Sequence, residues 1–189
     1  MISNFFLLTG RTYLNNAIVI ADILSVIATT FGDVKNFNIK FKKPFNTQAE
    51  LKFSTEPLEG HTLGSFDTVL TKFYFSYVPI EVTLPSKIID NNEVNYFNLS
   101  YAITDAGRTI VQDSFENEFG PMSSTDKVIF AVCDIPDTSI INRVIEKKHK
   151  PDITISKAIH IGHRRFKYSV LLDNEFLAYR YCSVKEFNT

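Results

Sequence analysis

The chain has 189 residues, of which 44% are hydrophobic and 22% charged, and its formal net charge is −1. These values are typical of a globular protein and exclude a disordered or collagen-like chain. The length fits one domain over residues 1–189. Seventeen Phe and eight Tyr residues favour β-sheet, because aromatic side chains suit a pleated, half-buried surface.

Neither a disulfide framework nor a membrane span is expected. Cys133 and Cys182 are the two cysteines of the sequence, too few for a disulfide-rich scaffold. The most apolar segment, residues 17–31, contains Asp22 and is too short to cross a bilayer. We therefore expect a protein without a transmembrane segment that works in a cytoplasm, or in the host cytoplasm or virion if the chain is viral.

The first strongly periodic segment predicts a long helix. From Tyr13 to Phe31 apolar residues recur at intervals of three and four. Thr12 is a suitable N-cap, and Gly32 is suited to end the helix. Further apolar residues between these positions predict a helix that is covered on most sides.

Period-two patterns follow the helix and predict strands. Residues 37–41 and 51–54 alternate apolar and polar side chains and resemble a hairpin. Residues 71–84 predict further strands, with Pro79 at a sheet edge or a bulge. The clearest alternation covers residues 97–104, and a turn at residues 105–107 connects it to a second predicted strand over residues 109–115.

The second half of the chain predicts one more helix between strands. The apolar run 127–135 predicts a central strand, and Asp137 or Thr138 can cap a shorter helix near residues 137–150 that Pro151 ends. Alternation over residues 153–161 and a hairpin around Asp173 and Asn174 follow. The predicted fold class is α+β, with β-rich antiparallel sheets and two helices, one long near the N-terminus and one shorter near residues 137–150.

Histidine motifs do not assign a reaction. The string from His160 to His163 spells the HIGH signature of class I aminoacyl-tRNA synthetases, but the residues after it predict a hairpin and not an α/β body. Residues three apart on a strand point to opposite faces, so these two histidines are not expected to share a metal. A two-histidine phosphoesterase would need Thr or Ser two residues after His61 and His160, where Leu63 and Gly162 stand. We assign no catalytic, cofactor-binding or metal-binding residue and expect no cofactor.

Charge is distributed unevenly along the chain. Residues 88–126 contain seven carboxylates and one arginine, whereas residues 138–167 contain eight Lys and Arg residues and two carboxylates. Such blocks either pair within the fold or face a partner. The basic residues predicted to contact a partner are Arg164, Arg165, Lys167, Lys147, Lys148 and Lys150.

These patterns favour a non-enzymatic assembly or interaction protein. We expect a viral or phage structural component of matrix or capsid type that forms homo-oligomers and contacts an anionic partner, such as RNA, a nucleoprotein or a membrane surface, through its basic C-terminal region. Two alternatives stay open. One is a regulatory or inhibitory binding protein, and the other is a small enzyme that acts on a phosphate-containing substrate through histidines.

Overall fold

A computed structural model describes residues 1–9, 14–88, 90 and 92–187. Three helices occur in this part of the chain: α1 (Asn16–Phe31), α2 (Tyr96–Phe119) and α3 (Ser139–Lys147). The strands are β1 (Leu7–Leu8), β2 (Lys35–Phe41), β3 (Thr47–Ser54), β4 (Thr62–Asp67), β5 (Lys72–Thr83), β6 (Ser86–Lys87), β7 (Asp126–Asp137), β8 (Ile153–Ile155), β9 (Ile159–His160), β10 (Arg165–Leu172) and β11 (Glu175–Glu186). The predicted α+β class, rich in antiparallel sheet, is confirmed, but the described residues contain three helices and not two.

One large antiparallel sheet organises the molecule. Its strand order is β3-β5-β4-β2-β7-β11-β10-β8, and β9 also pairs with β10. Strands β2 and β7 meet at the centre, and each follows a long helix in the sequence. The predicted hairpin of residues 37–41 with 51–54 is wrong, because β2 pairs with β4 and β7 while β3 pairs with β5. A separate parallel pair joins β1 to β6.

Helix α1 is buried along most of its surface, as its continuous apolar pattern predicts. Its side chains from Ala17 to Ala21 are all buried, and so are Ile23, Leu24 and Ile27. The side chain of Asn15 caps the helix by accepting a hydrogen bond from the Ala17 amide. Gly32 ends it as predicted, whereas Thr12 lies outside the described residues.

Helix α2 replaces the two strands that the sequence predicts over residues 97–104 and 109–115. Its buried positions are spaced by three and four, but half of them are small or polar, so hydrophobicity alone does not reveal the helical period. Those positions are Leu99, Ser100, Ile103, Thr104, Gly107, Val111, Ser114 and Phe115. Asn95 caps the helix by accepting from the Asn98 amide. None of the described helices is both long and apolar enough to cross a membrane.

The predicted turn at residues 105–107 is the middle of α2, and Gly107 has a packing role there. A β-carbon on Gly107 would lie 2.0 Å from the hydroxyl oxygen of Tyr168 and 2.4 Å from the carbon that carries it. Tyr168 is 1% exposed and belongs to β10. Glycine is therefore required because the helix backbone lies directly on this ring.

The outer edge of β10 has two short partners separated by a break. Strand β8 pairs with residues 170–172 and β9 with residues 166 and 167, while residues 156–158 belong to neither strand. Ser156 remains attached to β10, since its hydroxyl oxygen accepts a hydrogen bond from the Ser169 amide at 2.8 Å. Lys157 and Ala158 therefore leave the ladder next to α2, where a surface hollow forms.

We expect Gly107→Ala to destabilise the protein. At an open helical site the same change stabilises by about 1 kcal/mol, but overpacking against Tyr168 costs about 1–3 kcal/mol. Urea unfolding should therefore give a lower free energy of unfolding for Gly107→Ala than for the parent. The double variant Gly107→Ala with Tyr168→Leu should lose less stability than the two single changes added together. An increase in stability in Gly107→Ala alone would contradict the close approach. Ala106→Ser, on the exposed side of α2, is the matched control.

Candidate functional site

A histidine–carboxylate pair connects α2 to β9. The Nδ1 atom of His160 lies 2.5 Å from a carboxylate oxygen of Glu118. Glu118 stands in the last turn of α2, and His160 ends β9 opposite Phe166 of β10. The carboxylate fixes the orientation of the imidazole and selects the tautomer with a proton on Nδ1. The lone pair is then on Nε2.

The free nitrogen of this imidazole is enclosed by aromatic rings. The ring of Phe119 meets the imidazole edge-on at 5.1 Å between centroids, and the ring of Phe166 lies at 5.4 Å. The Nε2 atom of His160 is buried and has no hydrogen-bond partner among the described residues. Because an unsatisfied buried nitrogen lowers stability, its retention suggests a functional role.

Two surface hollows flank the pair. One has a volume of about 270 Å³ and is lined by Ser114, Asn117, Glu118, Lys157, Ala158 and Phe166. The other has a volume of about 310 Å³ and is lined by Phe115, Phe119, Pro121, Asp126 and Arg164. Glu118 and Phe166 border the first hollow and Phe119 the second, so the residues in contact with His160 belong to both.

Arg164 is held by the acidic block of its own chain. Its guanidinium forms an ion pair with Asp126 and lies over the ring of Phe115, with 4.8 Å between the guanidinium carbon and the ring centroid. The backbone amide of Ser123 and the guanidinium of Arg164 hold the pKa of Asp126 below its usual range, although burial opposes them. Arg164 is therefore part of the wall of the second hollow.

The six residues predicted to contact a partner lie on or beside α3 and β10, and their binding role stays a prediction. Arg165 is exposed at the start of β10, and Lys167 lies over the ring of Tyr179 at 3.7 Å. Lys147 and Lys148 end α3, and Lys150 follows them on the exposed surface. His149, in the same segment, faces Asp173 after the far end of β10, which is about 24 Å long. The basic residues thus occupy both ends of this strand.

In the sequence His160 belongs to histidine motifs to which no reaction is assigned, and nothing in the sequence pattern connects it with Glu118. Glu118 was placed in the acidic block after a predicted strand, where no histidine could be assigned to it. Gly162 lies in a turn, with φ of +98°, and His163 after it is exposed. No group of three potential metal ligands occurs in the described residues.

No protein-family model and no curated protein matches the chain. Two solved structures are similar over nearly their whole length. An acyl-ACP thioesterase from Bacteroides thetaiotaomicron VPI-5482 is 8% identical, with 98% of this chain and 97% of that chain covered and a TM-score of 0.46. A protein from Lactobacillus plantarum, provisionally named an oleoyl thioesterase, is 7% identical, with 100% and 96% covered and a TM-score of 0.42.

Both of these proteins are named as enzymes. The expected non-enzymatic, self-assembling protein of viral type is corrected, because the charge blocks from which it was inferred are not both left free for a partner. An ion pair within the chain joins Asp126 to Arg164, so part of both blocks is paired internally.

Charge reversal should affect the stability of the protein differently at Arg164 and at Arg165. Arg164→Glu places a second carboxylate beside Asp126 and removes the contact with Phe115, so we expect a clear loss of stability in urea unfolding. Arg165→Glu, at an exposed position, should stay within about 0.5 kcal/mol of the parent protein. Equal effects of the two reversals would show that the ion pair of Arg164 does not stabilise the fold.

The stability contributed by Asp126 should depend on pH. Its pKa in the folded protein lies below the usual value. The ionised carboxylate therefore stabilises the fold above the unfolded pKa of about 3.9, and this contribution is lost as pH falls through the folded pKa. Asp126→Asn should reduce the free energy of unfolding at neutral pH and converge with the parent in acid. A difference that is constant with pH would contradict this assignment.

Proposed function

We propose that the protein is a hydrolytic enzyme in which His160 is the general base and Glu118 orients it. The single observation that supports this function is the arrangement of the imidazole, whose Nδ1 contacts a carboxylate at 2.5 Å while Nε2 has no partner. A carboxylate that fixes one nitrogen leaves the other available for proton transfer. The bond cleaved is that of a carboxylic ester or thioester.

The proposed reaction needs only water and the imidazole. Nε2 of His160 takes a proton from water while the resulting hydroxide adds to the carbonyl carbon of the substrate. Collapse of the tetrahedral intermediate breaks the bond from carbon to the leaving oxygen or sulfur. The imidazolium returns its proton to that atom, so the products are a carboxylic acid and an alcohol or thiol. Glu118 stabilises the imidazolium during this cycle.

Residues that border the two hollows can stabilise the oxyanion and control the access of substrate to His160. Lys157 borders the hollow beside Glu118, and its positive charge can stabilise the oxygen of the tetrahedral intermediate. Phe119 is 47% exposed and is followed by Gly120 at φ of +87°. Because it stands at the end of α2, its ring can turn away from His160 without unfolding the helix. Phe119 is thus the cover that has to open for substrate.

The proposed function is tested by hydrolysis of a panel of p-nitrophenyl esters and acyl thioesters of increasing chain length. Replacement of a general base typically lowers the rate by about 10²–10⁴-fold, so His160→Gln should lower kcat by a factor in that range. Glu118→Gln should lower kcat less, because the base remains. The matched controls are His163→Gln and Glu116→Gln, which change exposed residues of the same types nearby.

Two results would overturn the proposal. One is the absence of hydrolysis across the panel by the parent protein, and the other is undiminished kcat in His160→Gln with the fold intact by circular dichroism. Phe119→Ala adds a separate readout. If the ring covers Nε2, its removal should raise the rate on bulky esters more than on acetate esters.

A further inference from the structure

Three polar side chains around the hollow of about 270 Å³ have no partner in the described part of the chain. We call this hollow the polar hollow; it is lined by Ser114, Asn117, Glu118, Lys157, Ala158 and Phe166. The hydroxyl of Ser114, the amide of Asn117 and the ammonium of Lys157 make no hydrogen bond or ion pair with any described residue. These three groups are therefore free to bind a ligand in the hollow.

Ser114 is the buried member of this group. It is 8% exposed and stands four residues, about one helical turn, before Glu118 on α2. A buried hydroxyl in a helix commonly bonds to the carbonyl four residues earlier, as Thr104 does to Ser100 at 2.7 Å. Ser114 does not make that bond, although buried polar groups normally have a partner. The hollow that it lines is the place where a partner can be supplied.

The polar hollow both donates and accepts hydrogen bonds. A serine hydroxyl and an asparagine amide do both, an ammonium only donates, and a carboxylate only accepts. Lys157 and Glu118 have opposite charges, so their charges offset each other at the hollow. This combination suits a neutral ligand with several hydroxyl groups, because each hydroxyl also donates and accepts.

The hollow of about 310 Å³ has the opposite character, and we call it the aromatic hollow. It is lined by Phe115, Phe119, Pro121, Asp126 and Arg164. The two charged residues pair with each other, and the other three are apolar. Removal of an apolar group from water is favoured against such a lining. The ring of Phe119 also contacts the imidazole of His160, so the aromatic hollow adjoins the proposed base.

We infer that the substrate is an ester of an apolar acid with an alcohol that bears several hydroxyl groups, such as glycerol or a sugar. The alcohol occupies the polar hollow, where Ser114 and Asn117 bind its free hydroxyls. The acyl group occupies the aromatic hollow, and the carbonyl carbon between the two groups lies beside His160. This inference rests on the proposed hydrolysis and specifies its substrate.

Hydrolysis of glycerol monobutyrate, butyrylglucose and methyl butyrate tests the inference on the full chain. We expect kcat/KM to be at least about tenfold higher for a polyol ester than for methyl butyrate, because two added hydrogen bonds amount to about that ratio. The two polyol esters distinguish glycerol from a sugar as the alcohol. Ser114→Ala and Asn117→Ala should each lower the ratio by about two- to tenfold. Thr109→Ala, at an exposed position of α2, is the matched control and should keep the ratio.

A ligand that cannot be cleaved separates this inference from the proposed hydrolysis. By calorimetry, the parent should bind hexyl glyceryl ether about tenfold more tightly than hexanol, and Ser114→Ala and Asn117→Ala should reduce that preference. Asn117 is exposed, so its replacement should leave the fold intact. Preferred binding of the ether without hydrolysis of any ester would support the polyol site and contradict the proposed hydrolysis.

Three results would overturn the inference and leave the proposed hydrolysis standing. One is equal kcat/KM for the three butyrate esters. Another is equal binding of hexyl glyceryl ether and hexanol. The third is a preference for polyol ligands that both Ser114→Ala and Asn117→Ala leave unchanged.

Discussion

The contact between Gly107 and Tyr168 sets the position of α2 on the sheet. A helix that carried any side chain at this point would be displaced, because the ring already occupies the space of a β-carbon. Glu118 follows eleven residues later, about 16 Å along the same rigid helix. The Glu118 carboxylate therefore lies 2.5 Å from Nδ1 of His160 only while Gly107 stays in contact with the Tyr168 ring.

Neighbouring side chains of β10 have contrasting roles. Phe166 and Tyr168 project toward the helices, whereas Arg165 and Lys167 project away from them. The inner pair contributes an aromatic wall beside His160 and a hydroxyl beside Arg180. The outer pair carries the charges that the sequence displays most openly. The basic residues are therefore the more conspicuous feature of the sequence, although the buried polar atoms without hydrogen-bond partners lie on the helix-facing side of the sheet.

The elements that could be predicted from the sequence are those whose buried side chains are uniformly apolar. Helix α1, the central strand β7 and strand β10 all have this property. Strand β11 is also predicted, although it buries Arg180 among its apolar side chains. Helix α2 does not, because Ser100, Thr104 and Gly107 form much of its buried side. The alternation of Phe97, Leu99, Tyr101 and Ile103 then produced a false strand.

The candidate site was hidden by the same error. With residues 109–115 assigned to a strand, Glu118 had no fixed direction and could not be paired with a histidine more than forty residues later in the sequence. The burial of Arg180 was missed for a different reason. An arginine in an alternating strand is normally assigned to the exposed face, and only the register with Cys133 and Tyr168 places it inside.

The break between β8 and β9 also affects the outer edge of the sheet. A continuous strand beside β10 would present a long row of unpaired amides and carbonyls, which is a template for strands of other molecules. Strands of three and two residues, with Lys157 between them, offer no such template. The irregularity that opens the hollow beside α2 thus also protects the sheet edge from aggregation. A change that made residues 156–158 part of a continuous strand would close the hollow beside α2 and would also lengthen the unpaired edge of the sheet.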